Sequence, residues 1–252
     1  MDDKLKTQRG WLKSDQWDLW STLETDQVRK VPPPPLELPC PEGAKTVDLV
    51  PPDQFTIGDM PFIQAVRARR SRRRYTGEPI TLEELSFLLW STQGFQEFIR
   101  DGKFARRTVP SGGCRHPFET YLVINRVEGV EPGLYRYQFL EHRLCWLEPL
   151  DAVKSRLIDE NYAKFLDNAA AVFFWAVIPY RTEWRYSIIS DKIMALDAGH
   201  VCQNMYLACE ALGLGTCGYD GYNQANVDRL LNLDGEEEFV IYLAPVGRPA
   251  GD

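Results

Sequence analysis

Long apolar runs are missing from this 252-residue chain. The longest, AAAVFFWAVIP at 169–179, falls short of the ~18–20 residues that a membrane-spanning helix needs, and it predicts a buried strand instead. The N-terminus, MDDKLKTQRGW, has neither an apolar core nor a small-residue cleavage site, so no secretory signal is predicted. We therefore expect a cytoplasmic protein that is not bound to membranes.

The chain also lacks the patterns that bind metals or mark common active sites. Its six cysteines contain no C-x-x-C pair, and its three histidines are too few for a histidine-rich centre. We expect no metal site and thiols that stay reduced, with Cys202 and Cys209 packed in a core. No G-K-[ST], G-x-S-x-G or H-E-x-x-H motif occurs. A net charge of −7 argues against general binding to nucleic acid or to anionic membranes.

Residues 1–58 differ from the rest of the chain. Trp11, Trp17 and Trp20 predict a short aromatic helix, and a proline-rich arm follows at 31–45. Proline fixes φ and donates no hydrogen bond, so the arm is expected to be extended and to stay out of a central sheet. A disordered polyproline ligand is one interpretation. We favour an ordered arm that wraps around a partner subunit, because three tryptophans left in water would be costly.

A compact domain is predicted for 59–252. Asp59 is expected to cap a helix that has Pro61 in its first turn, and the run TLEE from Thr81 is a capping box for a second helix that ends before Gly94. Periodicity also predicts strands at 120–125, 134–140, 144–147, 170–178 and 239–246, the second and third of which form a hairpin, and helices at 191–212 and 224–231. Interleaved helices and strands predict a mixed α/β (α+β) class.

The sharpest feature is RARRSRRR at 67–74, six arginines in eight residues where a helix gives way to an extended segment. A guanidinium group is a planar fork that matches phosphate oxygens in pairs. Alternate residues of an extended segment project to one side, so Arg69, Ser71 and Arg73 could converge on one anion. We favour a phosphate cradle; a solvated basic patch, a nuclear-localisation-like run and a nucleic-acid contact are the alternatives.

Two glycine-containing segments could approach a flat ligand. In PSGGCRHP at 110–117, two glycines let the backbone come close to a ring, and Ser111 and backbone N–H groups could meet its polar edge. An ordinary tight turn is the alternative, and His116 is expected to be structural. The second segment, GLGTCGY at 213–219, on its own predicts the end of a helix that leads into a strand.

Taken in order, these segments resemble a known family. The runs that carry the resemblance are RRSRRRY at 69–75, TLEELSFLLWSTQGF at 81–95, RRTVPSGGCRHPFETYLV at 106–123, GLYRY at 133–137, WRYS at 184–187, LDAGHVCQNMYLACEALGLGT at 196–216 and LLNLDGEEEFVIYLAPVG at 230–247. Each run is weak alone. The ordered set resembles the nitroreductase superfamily, in particular its SagB-type, thiazole-oxidase-like dehydrogenases, and the segment at 25–43 resembles the leader of stand-alone members of that branch.

The resemblance implies an intertwined homodimer with an FMN-dependent nitroreductase-like fold, a central, mostly antiparallel sheet flanked by helices, and two FMN sites that both subunits line. The FMN contacts that it implies are Arg69, Arg70, Ser71 and Arg73 for the phosphate, ribityl chain and pyrimidine edge, Pro110, Ser111, Gly112 and Gly113 from the partner subunit, Gly218 and Tyr219 over the other ring face, and Arg248 as a second phosphate contact. The flavin would carry the hydride or electrons, so no side-chain nucleophile is required. The helix at 191–212 and the arm would bury an obligate interface above ~2,000 Å².

Arg185-Tyr186 departs from the azoline-oxidising members, which carry Lys-Tyr and use the lysine in proton abstraction. Arginine is a poor base at neutral pH, so oxidation of an azoline in a modified peptide is disfavoured. Arg185 and Tyr186 are still the candidate catalytic residues, Tyr186 as a proton donor or as a structural residue. The preferred function is hydride transfer from NAD(P)H or another donor to a small electron-poor acceptor; a non-catalytic flavin-binding module is the other alternative. The segments at 95–108 and 180–190 are expected to shape the pocket.

Overall fold

The structure is a computed structural model that describes residues 3–157 and 168–251. Its α-helices are α1 (Asp3–Arg9), α2 (Phe62–Ala68), α3 (Leu82–Gln93), α4 (Leu150–Ser155), α5 (Tyr180–Tyr186), α6 (Ser190–Ala211) and α7 (Gln224–Leu230). Its strands are β1 (Thr46–Asp48), β2 (Phe95–Ile99), β3 (Phe104–Arg107), β4 (Phe118–Ile124), β5 (Gly133–Gln138), β6 (Arg143–Pro149), β7 (Ala171–Val177), β8 (Gly215–Thr216) and β9 (Phe239–Gly247). Short 3₁₀ segments occur at Gly10–Leu12, Asp15–Thr22, Pro52–Gln54, Gly112–Cys114 and Ser187–Ile189.

Seven strands form one sheet in the order β1-β6-β5-β4-β7-β9-β8, and its neighbouring strands are antiparallel. The seven residues of β7 are all buried between β4 and β9. Because successive side chains point to opposite faces, Phe173 and Trp175 join a core with α3 and α6, whereas Phe174 joins a second core with α4 and α7. Helices therefore cover both faces of the sheet, which confirms the predicted fold class.

Helix α3 begins and ends where the sequence predicts. The Thr81 hydroxyl accepts a hydrogen bond from the Glu84 N–H (3.1 Å), and the Glu84 carboxylate accepts one from the Thr81 N–H (2.8 Å), which completes the capping box. Gly94 ends the helix with a φ of −61°, so the left-handed conformation is not the reason for a glycine here. A Cβ at this position would come within 2.4 Å of the Trp90 ring, so close approach is the reason.

Helix α2 begins later than predicted. Pro61 is its N-cap residue rather than part of its first turn, and no side chain caps the helix, so the predicted cap by Asp59 is wrong. Asp59 lies two residues before the cap, too far along an extended chain to reach the first free N–H groups. Phe62, Ile63 and Val66 are exposed on α2. This helix therefore presents an apolar face that its own subunit does not cover.

The N-terminal region is ordered but is not one aromatic helix. It forms α1 and two 3₁₀ segments, with the tryptophans on the latter. The arm at 31–45 then crosses its own subunit: the Arg107 Nη2 donates to the Leu36 carbonyl oxygen (3.0 Å), and the Leu38 N–H donates to Glu119 Oε1 (2.9 Å). Packing of this arm on a partner subunit stays a prediction.

Cys40 and Cys145 form a disulfide that joins the arm to β6. The expectation that all six cysteines stay reduced is therefore wrong for this pair. The two cysteines are 105 residues apart, so no local spacing reveals them, and only the fold brings their Cα atoms within 5.8 Å. Cys202 and Cys209 are free and buried in the core, as predicted.

The two segments that were expected to shape the pocket have regular structure. Residues 95–107 form the β2-β3 hairpin, and residues 180–186 form α5. Across the described ranges, no helix combines the length and the hydropathy that a bilayer crossing requires.

Candidate functional site

Residues 69–74 leave the end of α2 as an extended segment. Arg69 has φ −47° and ψ 121°, so the helix stops there. Glu210, in the last turn of α6, holds the segment: its Oε1 accepts from the Arg70 N–H (3.0 Å), and its Oε2 lies 3.5 Å from Arg72 Nη2. The Arg72 side chain is therefore committed to α6.

Tyr206, also on α6, contacts Arg69 and Ser71 of the arginine segment and the backbone of Gly218. Its hydroxyl lies 3.2 Å from Ser71 Oγ and accepts a hydrogen bond from the Gly218 N–H (2.9 Å), and its ring lies 5.5 Å from the Arg69 guanidinium. One side chain thus links three of the predicted FMN contacts. Sequence reasoning missed Tyr206. Its spacing of four residues from Glu210, which places both polar groups on one helix face, is the signal that could have found it.

Tyr219 closes this group of residues against the sheet. Its backbone N–H and carbonyl oxygen both pair with Leu243 of β9, at 2.8 and 3.1 Å. Burial raises the pKa of the Tyr219 hydroxyl overall, while the nearby Arg73 lowers the pKa in part. A Cβ on Gly218 would lie 2.6 Å from the Tyr242 hydroxyl, so a glycine is needed for packing there. The arginine segment, Gly218 and Tyr219 are therefore brought together within one subunit.

The arginines near this group differ in how far their charge is compensated. Arg70 donates to carbonyl oxygens at the end of α2 (2.9–3.4 Å), and Arg248 pairs with Glu84 through both terminal nitrogens (2.8 and 2.9 Å). In residues 3–157 and 168–251, no carboxylate forms an ion pair with Arg69 or Arg73. These two side chains therefore leave positive charge uncompensated beside Tyr206 and Tyr219.

The serine-glycine turn that follows β3 rests on the first half of α6. Ser111 Oγ donates to Asp197 Oδ2 (2.6 Å), and the Gly112 N–H donates to Asp197 Oδ1 (3.1 Å). Burial raises the pKa of Asp197, and these two hydrogen bonds lower it in part. Pro110 and Gly113 are exposed, and Gly113 has a left-handed φ of 60°. Pro110 and Gly113 are thus accessible to a ligand, whereas Ser111 and Gly112 are held within the subunit by Asp197.

The candidate catalytic pair lies against the same turn. A Cβ on Gly113 would come within 2.5 Å of the Tyr186 hydroxyl and 2.8 Å of Arg185 Cδ, so a glycine allows α5 to approach. The Arg185 guanidinium lies 5.3 Å from the Tyr186 ring. Trp17 and Trp20 pack on the same ring at centroid distances of 6.0 and 6.1 Å, and Tyr186 is buried.

A buried arginine beside the turn was not predicted. Arg115 is 4 % exposed, and its guanidinium lies between the rings of Phe104 (5.0 Å) and Trp184 (4.8 Å). Burial, together with the neighbouring Arg185, lowers the pKa of Arg115 to about 10. Burial also holds the pKa of His116 well below its usual value, so that histidine is neutral near pH 7. The surroundings of the candidate catalytic pair are therefore cationic.

Helix α6 separates the turn from the arginine segment. Asp197, which holds the turn, and Tyr206, which holds the arginine segment, are nine residues apart. At about 3.6 residues per turn, nine residues make two and a half turns, so the two side chains leave opposite faces of the helix roughly 14 Å apart along its axis. Within one subunit, the two groups of predicted FMN contacts do not form a single site.

Known proteins are similar to most of the chain. A model of the Nitroreductase family matches residues 66–248. A candidate nitroreductase of Methanocaldococcus jannaschii, MJ1384, is 32% identical over 190 residues, which are 71% of this chain and 87% of that protein. The trifolitoxin-processing protein TfxB of Rhizobium leguminosarum bv. trifolii is 32% identical over 139 residues, which are 53% of this chain but only 37% of TfxB. The crystal structure of a candidate nitroreductase from Ralstonia eutropha JMP134 aligns with a TM-score of 0.68 and 25% identity, covering 88% of this chain and 99% of that one.

These similarities test the expected fold and family. The match to a solved structure over nearly all of its length confirms the predicted fold. The similarity to a trifolitoxin-processing protein supports the resemblance to the SagB-type branch. The tryptophan-containing N-terminal segment precedes the part that the family model matches. Because that model covers well over half of the sequence, the chain belongs to the nitroreductase family and is an oxidoreductase enzyme.

Proposed function

We propose that this chain binds FMN between two identical subunits and passes hydride from NADH or NADPH to a small electron-poor acceptor. The position of α6 carries the proposal. The arginine segment and the serine-glycine turn lie on opposite faces of this helix, so one FMN can contact both only where two subunits meet. The exposed apolar face of α2, beside the arginine segment, supplies a surface for such a contact.

The residues of the arginine segment fit a phosphate group. Arg69 and Arg73 carry charge that no described carboxylate compensates, and the Ser71 hydroxyl lies between them in sequence. Guanidinium groups bind phosphate oxygens in pairs, so we assign the phosphate to these residues. Arg70 caps α2 instead, and Arg248 would have to share its charge with Glu84. Both stay predictions as phosphate contacts.

The ring would lie between Gly218 and Tyr219 of one subunit and the exposed Pro110 and Gly113 of the other. FMN, when bound, supplies the site that accepts and returns a hydride or electrons. Tyr186 would hold a proton at its hydroxyl for the reduced acceptor, because that oxygen lies next to Gly113. The positive charge of Arg185 would stabilise the tyrosinate that remains after transfer.

An absorbance spectrum tests the cofactor and the donor together. The purified protein should show flavin bands that bleach when NADH or NADPH is added without oxygen. Bands that do not bleach would remove the nicotinamide donor from the proposal and favour a substrate dehydrogenase or a binding module. If no flavin binds even after soaking with FMN, the whole proposal fails.

A pair of arginine variants tests the phosphate assignment. Arg69→Ala should weaken FMN binding about tenfold or more, because a hydrogen bond to a charged group contributes roughly 1.5–3 kcal/mol. The thermal midpoint of the apoprotein should change little. Arg74→Ala removes a neighbouring exposed charge that the proposal does not use, and it should keep full flavin. Equal flavin loss in both variants would indicate a general charge effect rather than a phosphate contact.

Mixed subunits test the shared site. Arg69→Ala and Gly113→Ala subunits, each defective in FMN binding alone, are co-expressed with different tags. In a mixed dimer, one site carries both defects and the other carries neither, so about one quarter of the wild-type flavin should return when subunits mix at random. No recovery in mixed dimers would mean that each site lies within one subunit.

Oxidation of an azoline is the second candidate, favoured by the similarity to TfxB. Arg185 opposes it, because this position would need a base. A purified protein that oxidises an azoline-containing peptide at a rate above that of its NADH-dependent reductase reaction would make this candidate the better one. Arg185→Lys should raise that oxidation if only the base is missing.

A further inference from the structure

The candidate catalytic pair depends on a residue that precedes the proline-rich arm. Arg185 Nη1 donates a hydrogen bond to the amide oxygen of Gln27 (2.9 Å). Arg185 Nε is buried and has no hydrogen-bond partner among the described residues. Within residues 3–157 and 168–251, no carboxylate forms an ion pair with Arg185. The contact that holds this guanidinium is therefore the uncharged amide of Gln27.

A turn at residues 25–31 fixes Gln27 on α5. The Gln27 N–H donates to the Trp184 carbonyl oxygen (2.9 Å), and Trp184 Nε1 donates to the Val31 carbonyl oxygen (3.0 Å). The Val31 N–H donates in turn to the Asp26 carbonyl oxygen (2.9 Å), which closes the turn. Trp184 is buried, so both of its hydrogen bonds join the turn to a fixed part of the helix. The Gln27 side chain therefore starts from a backbone that is held in place.

The guanidinium that Gln27 holds shares one small space with the candidate proton donor. The Tyr186 hydroxyl lies 2.5 Å, and Arg185 Nε 2.9 Å, from the position that a Cβ on Gly113 would take. Arginine stays protonated, so its charge acts on this space whenever the side chain is in place. An amide oxygen accepts a hydrogen bond without cancelling that charge, whereas a carboxylate would cancel it.

We propose that Gln27 is a positioning residue that holds the Arg185 guanidinium beside the Tyr186 hydroxyl and leaves its charge uncompensated. The tyrosinate that remains after proton transfer is then stabilised without any movement of the arginine. The inference rests on the proposed function, because it concerns the same proton transfer. Gln27 precedes residues 66–248, which the family model matches, so this part of the site comes from the N-terminal region of the chain.

The test follows the oxidation of the dithionite-reduced holoenzyme by two oxidants. 1,4-Benzoquinone gains a hydride and one proton and leaves as hydroquinone, and Tyr186 recovers its proton from water. Ferricyanide gains one electron and no proton, so its reduction does not use Tyr186. Gln27→Met keeps the length of the side chain but removes the acceptor. The limiting rate constant with benzoquinone should fall about tenfold, the order expected when one hydrogen bond to a charged group is lost. The benzoquinone concentration at half the limiting rate and the ferricyanide rate should both stay within twofold of wild type.

Two further variants separate positioning from support of the fold. Gln27→Glu keeps a hydrogen-bond acceptor but compensates the charge of Arg185, so it should also slow the benzoquinone reaction, while the thermal midpoint stays at or above that of wild type. Tyr180→Phe is the matched control. It removes another hydrogen bond between the same turn and α5, from the Tyr180 hydroxyl to Asp26 Oδ2 (2.8 Å), and should keep the benzoquinone rate.

A double-mutant cycle with Arg185→Met shows whether Gln27 acts through the arginine. Gln27→Met should have no further effect in the Arg185→Met background. Additive losses, a full benzoquinone rate in Gln27→Met or Gln27→Glu, or an equal loss in Tyr180→Phe would each overturn the positioning role and leave the proposed function standing. A full benzoquinone rate in Arg185→Met would instead contradict the proton transfer of the proposed function, and the positioning role would fall with it.

Discussion

Replacing Tyr206 with phenylalanine removes its hydroxyl and keeps its ring, so the substitution tests the role of the hydroxyl alone. The ring below Arg69 is kept, while the hydrogen bond from the Gly218 N–H (2.9 Å) and the contact with Ser71 Oγ (3.2 Å) are lost. In the apoprotein, both groups can turn to water, so the cost is small. In the flavin-bound state both must stay in place, and a donor left without a partner costs about 1–3 kcal/mol. Tyr206→Phe should therefore weaken FMN binding about tenfold.

Flavin fluorescence titration gives the dissociation constant, and circular dichroism gives the thermal midpoint of the apoprotein. Tyr135→Phe is the control, because its hydroxyl also donates one hydrogen bond (2.7 Å, to the Glu131 carbonyl oxygen) but lies away from the site. The flavin midpoint potential is a third readout, since a residue that only supports the fold would not shift it. The reasoning is refuted if Tyr206→Phe lowers the thermal midpoint as Tyr135→Phe does while its FMN affinity stays within twofold of wild type.

Three further predictions concern stability. Burial raises the pKa of the Glu238 carboxyl group to about 7, so the folded state binds the proton of this group more tightly than the unfolded state does. The resulting stabilisation of the folded state is full below about pH 4, and it is lost as the pH rises through 7. Glu238→Gln should remove that slope in urea unfolding between pH 5 and 8. Cys40→Ser combined with Cys145→Ser should lower the free energy of unfolding by roughly 4 kcal/mol, and dithiothreitol should reproduce the effect in wild type but not in the variant. Thr81→Ala should cost about 1 kcal/mol without changing FMN binding, because the helix cap is local.

Elements that depend on local physics could be predicted from the sequence. The apolar run of β7 predicts a strand buried on both faces, and the capping box at Thr81 predicts the start of α3; both predictions hold. The cap by Asp59 failed because a second helix-start signal, Pro61, lies two residues later and sets the boundary. The disulfide between Cys40 and Cys145 could not be predicted, because its 105-residue separation leaves no periodic signal.

The candidate ligand-binding segments could be located from the sequence, but the residues that hold these segments in the subunit could not. Arg69 and Ser71 were predicted from their alternation, and the structure places them together by Tyr206. Tyr206 and Asp197 were missed because the apolar content of α6 suggested only a buried helix. Tyr206 and Asp197 carry polar groups on this largely apolar helix, and buried polar groups need hydrogen-bond partners. Polar residues on an otherwise apolar helix therefore indicate where a core helix can support a binding site.

The spacing of these polar residues along α6 determines whether one subunit can bring both groups of candidate FMN contacts into one site. Nine residues separate Asp197 from Tyr206, so their side chains point about 180° apart around α6. A spacing of eleven residues, close to three full turns, would place both on one face and allow a single subunit to gather the turn and the arginine segment. With nine, the body of the helix, roughly 10 Å across, stands between them. If one FMN touches both groups, they must come from different copies of the chain.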